Sequence, residues 1–165
     1  MERCGGPRAA PESTRVVNKT LIGPVWGSVI TYQDRESPFM LHHISFGVRE
    51  LQLSGAFYDA ALGALGFRRV FEDETAIGYG WVDGQDKFSI KSRSGATAPS
   101  AGFHLAFAAP SRRAVDEFHM AALKIGGRDN GAPGLRLHYG PHYYAAFLID
   151  PDGYHIECVC KAPES

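Results

Sequence analysis

The chain has 165 residues, 44% of them hydrophobic and 21% charged, a balance typical of a soluble globular protein long enough to bury a core. Lys and Arg number 17 against 18 Asp and Glu, a formal net charge of −1. No basic surplus therefore points to nucleic acid or to an anionic membrane surface, and no run approaches the roughly 18 apolar residues of a membrane-spanning helix.

Residues 1–39 differ from the rest. They hold four of the ten prolines and four of the nineteen glycines, and show no sustained period of 3.6 or 2. The apolar run Leu21–Ile30 is broken by Gly23, Pro24 and Gly27 and makes a poor secretory signal. The expectation is a disordered extension, or sequence upstream of a true start at Met40, with an ordered domain over 40–165. Three cysteines, Cys4, Cys158 and Cys160, form neither a disulfide framework nor a CxxC zinc site. They read as small buried hydrophobes, and the expected compartment is a reducing cytoplasm.

From Met40 onward the chain repeats itself. His43-Ile44-Ser45-Phe46 matches His104-Leu105-Ala106-Phe107 at an offset of 61. The same offset pairs Phe57 with Phe118, Tyr58 with His119, Ala60-Ala61-Leu62 with Ala121-Ala122-Leu123, and Gly66 with Gly127. One offset shared by a strand and a helix implies two copies of one unit, about 41–98 and 102–162.

In the first copy, Leu41–Val48 alternates and predicts a strand. Leu53, Phe57, Ala60, Ala61, Ala64 and Leu65 predict a helix over 51–65 that stops at Gly66. Phe67–Phe71 predicts a strand with Arg68 and Arg69 on a solvated face. Ala76–Val82 and Lys87–Lys91 predict a hairpin.

In the second copy, Phe103–Ala108 predicts a strand. Ser111 is a good N-cap for a helix that ends at Gly126-Gly127. Arg128–Pro141 reads as a Gly/Pro-rich loop that shapes a pocket. Tyr143–Ile149 and His155–Cys160 form the last hairpin across Asp150-Pro151-Asp152-Gly153, where the Pro and Gly positions suit a type I turn. The class is α+β: two βαβββ modules.

Alternation then sorts the faces. Ile44, Phe46 and Val48 should meet the helix, and His43, Ser45 and Gly47 the opposite side. Phe103, Leu105 and Phe107 oppose His104, Ala106 and Ala108. Ile156, Cys158 and Cys160 oppose His155, Glu157 and Val159. On the fourth strand, Phe88 and Ile90 oppose Ser89. The polar faces could line a cavity if the two copies curl together, with the helices outside. His119 is expected on the surface, and Trp81 and Tyr79 in the core. One of Tyr143 and Tyr144 should face the cavity; alternation alone does not say which.

The paired repeat, the opening LHHISFGV, the GFHLAF of the second copy and the closing DPDGYHIECV resemble the vicinal oxygen chelate superfamily. That group holds glyoxalase I, extradiol dioxygenases and bleomycin and fosfomycin resistance proteins. The resemblance covers Met40 to about Ala162. It implies a curled mixed sheet around a cavity and a metal held by His43, His104 and Glu157, with Glu157 also the catalytic carboxylate. The metal would be a divalent ion of the Fe, Zn, Ni, Mn or Co type. Ser89, His138, Tyr144 and His155 are the further pocket candidates. The slot of the fourth glyoxalase ligand falls on Ser89, or on Ile90 after a one-residue slip, and neither is a good ligand.

The implied function is a metal-dependent lyase, isomerase or ring-cleaving dioxygenase that chelates vicinal oxygens of a small substrate. The competing reading is a non-catalytic, bleomycin-resistance-like binder of small molecules. Either form could be a homodimer, with its site within or between chains.

Overall fold

The computed structural model describes residues 41–163. The expected extension over 1–39 lies outside these described residues.

The first module runs β1 (Ile44–Val48), α1 (Leu51–Gly63), β2 (Arg68–Glu72), β3 (Ala76–Gly80) and β4 (Phe88–Ser92). The second runs β5 (Leu105–Ala108), α2 (Arg112–Lys124), β6 (Arg128–Leu135), β7 (Tyr144–Ile149) and β8 (His155–Cys160). Each module is βαβββ, as the repeat predicts. Each makes its own four-stranded mixed sheet, ordered β1-β4-β3-β2 and β5-β8-β7-β6. In both, the first and last strands pair in parallel and the other pairs are antiparallel. The two sheets are not closed into a barrel.

One helix covers one face of each sheet, and the two helices pack on each other. Phe46, Val48, Phe57, Ile90, Phe107, Phe118, Ile156 and Cys158 join a single core shared by both modules. Aromatic contacts stitch it: Phe46 stacks on Tyr154 at 4.0 Å, and Phe88 meets Phe107 edge-on at 5.4 Å. Neither unit of about 60 residues could bury a comparable core alone.

The predicted cap is present: the Ser111 hydroxyl accepts the Ala114 amide at 3.1 Å. Gly126, at φ +87°, ends α2 in the left-handed region. Gly127 follows because a Cβ there would sit 2.8 Å from both the Ala122 carbonyl and the Phe57 ring. Cys158 and Cys160 are both free and buried, and burial pushes the Cys158 thiol up to about 12.

Arg128–Leu135 corrects the sequence reading. The supposed loop begins as β6, paired with β7 and bulged around Gly131 and Gly134. Those bulges and Pro133 break the alternation that would reveal a strand. Two other expectations also fail. His119 is buried, held at 2.8 Å by Asp129. Trp81 is exposed and stacks on Phe67 at 4.4 Å. Tyr79 is fully buried, as expected. Arg69, on the face read as solvated, forks onto both oxygens of Asp59.

The Asp150–Gly153 turn does more than reverse the chain. Gly153 N–H reaches the Asp150 carbonyl at 3.1 Å, closing the predicted turn. The two turn carboxylates then bind the first module. Asp150 accepts the Tyr58 hydroxyl at 2.7 Å, and Asp152 accepts from Ser54 at 2.6 Å and from Arg49 at 3.0 Å.

Candidate functional site

The helices take one face of each sheet and leave the other open. Ser45, Ala106 and Ala108 are exposed on these open faces, as are His43 and His104. In the first module Ser45 lies opposite Ser89, and in the second Ala106 lies opposite Glu157. Ser45 and Ala106 are repeat equivalents, so Ser89 and Glu157 occupy the same slot. The register therefore assigns that slot to Ser89 and not to Ile90. Ser89 is buried and shares a 2.7 Å hydrogen bond with Ser45.

A cleft of about 380 Å³ opens on the second module's free face. Phe103, Tyr139, Tyr143 and Phe147 supply aromatic walls, and Asn130 and His155 lie along it. Glu157 is only 2% exposed and stands at the cleft's buried end. Its Oε1 accepts the Tyr143 hydroxyl at 2.7 Å, and its Oε2 lies 3.3 Å from His104 Nε2. Burial first, then the Glu157 carboxylate, pushes the Tyr143 phenol up to about 12, so at neutral pH it is a donor. A smaller hollow is lined by Arg49 and Asp152, which pair with each other at 3.0 Å.

The separation of His104 and Glu157 suits two ligands of one ion. Donors about 2.1 Å from a tetrahedral metal stand roughly 3.4 Å apart. The His104 side chain is 56% exposed, which leaves room for further donors. Within one chain, however, the set stops at two. His43 lies on the other module, its Nδ1 2.8 Å from His42 Nδ1. Among the described residues no three His, Cys, Asp or Glu side chains gather to hold a metal.

The other candidates divide. His155 lines the cleft, with Nδ1 3.3 Å from Asn130 Nδ2. His138 stays outside the lining, and its ring packs on Tyr139 at 4.1 Å. Tyr144 turns to the helix side and bonds Asp116 at 2.8 Å, so Tyr143 is the tyrosine that faces the cleft. Cross-strand register carries this information: Phe147 lies opposite Glu157 and Ala145 opposite Val159. Residues 143, 145 and 147 thus share the Glu157 face.

Fold and site together define a protein of two βαβββ modules with an aromatic cleft ending on an imidazole–carboxylate pair. Residues 40–158 match the model of the Glyoxalase/Bleomycin resistance protein/Dioxygenase superfamily. The chain belongs to that superfamily, in which divalent metals and small-molecule substrates are common. A glyoxalase/bleomycin resistance protein from Albidiferax ferrireducens is 34% identical, with TM-score 0.64, covering 73% of this chain and 98% of that one. A putative glyoxalase from Bacillus halodurans is 29% identical, with TM-score 0.57, covering 74% and 96%. A glyoxalase I mutant from Zea mays shares the fold at 21% identity and TM-score 0.58, covering 77% of this chain and 48% of that one. The sequence has no match among curated proteins. No helix among the described residues is long and apolar enough to cross a membrane.

Proposed function

We propose that the chain is a metal-dependent enzyme acting on a small molecule, with its site built between two copies. His104 and Glu157 of one chain supply two ligands, and His43 on the open face of a second chain supplies the third. The observation that carries this reading is the His104–Glu157 pair, 3.3 Å apart at the end of an aromatic cleft. The uncovered faces support the second copy. The first module presents one ligand of the set and the second presents two, each on a face that its own helix does not cover.

A bound divalent ion supplies Lewis acidity to neighbouring oxygens of a substrate. The chain does the rest. Phe103, Tyr139 and Phe147 exclude water from a flat or compact ligand. Tyr143 holds Glu157 in place. Glu157 is the carboxylate able to accept a proton from a substrate in the cleft, which favours a lyase or isomerase. The protein would work in the cytoplasm.

One feature favours the second reading, a binder without chemistry. Ser89 stands where the second module carries Glu157, and its hydroxyl is satisfied by Ser45. Elemental analysis of untagged protein separates the two. The enzyme reading expects near-stoichiometric divalent metal in the parent and little in Glu157→Ala. Equal content in both, or none in either after metal supplementation, overturns it.

A further inference from the structure

We infer that Tyr143 is a positioning residue, which caps one oxygen of Glu157 so that only the other is presented to the cleft. The inference rests on the metal-site reading above.

A carboxylate as buried as Glu157 needs partners for both oxygens. Its two oxygens are divided between unlike groups. The Tyr143 hydroxyl donates to Oε1 at 2.7 Å, while Oε2 is the oxygen nearest His104. A free carboxylate can turn and offer both oxygens to an ion. Here rotation would break the phenol hydrogen bond of a carboxylate that is only 2% exposed, where that loss is costly. Partners of this kind orient metal-binding side chains and tune their basicity.

The phenol is itself held. Arg136 N–H donates to the Tyr143 carbonyl at 2.7 Å, and Tyr143 N–H reaches the Gly140 carbonyl at 3.3 Å. The Tyr139 ring packs at 5.1 Å, with the His138 ring behind it. The Lys161 ammonium lies 5.2 Å from the Tyr143 ring centre. The segment between β6 and β7 therefore reaches Glu157 through the Tyr143 hydroxyl, while Tyr139 of the same segment lines the cleft.

The test uses Co(II) as the probe on full-length parent, Tyr143→Phe and Tyr144→Phe. Removing the Tyr143 hydroxyl should weaken Co(II) binding by about 10- to 100-fold. It should also change the shape of the Co(II) visible bands, because both Glu157 oxygens become free. Tyr144→Phe should match the parent in both, since that hydroxyl bonds Asp116 on the helix side. Circular dichroism confirms that each variant is folded. If Tyr143→Phe binds Co(II) with parental affinity and spectrum, the positioning role is overturned while the metal site stands. If the parent itself binds no Co(II), the metal-site reading fails and this inference falls with it.

Discussion

Tyr58 of the first module and Asp150 of the second share a buried hydrogen bond of 2.7 Å, and beside it Asp152 binds Ser54 and Arg49. The two carboxylates respond oppositely to their surroundings. Burial is the largest influence on Asp150 and leaves it raised above its ordinary value, despite the bonds from Tyr58 and Tyr154. Burial also pushes Asp152 upward, but the bonds from Ser54 and Arg49 outweigh it and hold it low. By linkage, the stability from Asp152 is complete above the ordinary carboxylate range and is lost as pH falls through its lowered value. The contribution of Asp150 is complete below that range and is lost as pH rises through its raised value. Urea midpoints for Asp152→Asn should therefore approach the parent's as pH drops through and below the ordinary carboxylate range. Those for Asp150→Asn should improve relative to the parent as pH rises above that range. Parallel pH profiles for the two variants would refute this account.

The junction between the helices imposes a second test, on two glycines. A Cβ at Gly127 would stand 2.8 Å from the Ala122 carbonyl and the Phe57 ring, whereas one at Gly63 meets nothing within 4 Å. Overpacking of the first kind costs about 1–3 kcal/mol. Alanine in place of a helical glycine stabilises by roughly 0.5–1 kcal/mol. Gly127→Ala should lower, and Gly63→Ala should raise, the free energy of unfolding measured in urea.

A third expectation concerns the start of α2. The Ser111 hydroxyl is its side-chain cap, and α1 has no such cap. Ser111→Ala should cost about 1 kcal/mol, read from the same urea transitions. Ser111→Asp should retain most of that stability, because a carboxylate can accept the same amide.

These features differ in how openly the sequence displays them. Ser111, the Asp150–Gly153 turn and the strand His155–Cys160 depend on local chemistry, and local chemistry is written in adjacent residues. That His104 and Glu157 share the open face of the second sheet was legible from alternation along β5 and β8. β6 was not, since its bulges at Gly131 and Gly134 interrupt the period that marks a strand. The choice between Tyr143 and Tyr144 depends on the phase of β7 relative to β8, which strand pairing sets and alternation within one strand does not. The clasp of Asp150 and Asp152 onto α1 joins residues 92 and 98 positions apart, and no local pattern announces it. The same holds for the separation of His43 from His104. Equivalence in the repeat places both on open faces, but only the strand pairing, which closes within each module, decides that those faces belong to two sheets.

That separation leads to the last prediction. If the site is made between copies, His43→Ala and Glu157→Ala remove different halves of it. Neither homodimer should retain a complete ligand set. In a mixed dimer, one site draws His43 from the Glu157→Ala chain and His104 with Glu157 from the His43→Ala chain. That site is whole, while the other lacks both groups. Unfolding and refolding an equimolar mixture should produce mixed dimers as half of the population, and so restore about a quarter of the parental metal content by simple mixing statistics. Each variant refolded alone gives the baseline. Restoration above that baseline, with dimers seen by sedimentation, supports a site shared between chains. A mixture no better than the mean of the two variants, in protein that is dimeric and folded, would show that His43 and Glu157 do not meet across copies.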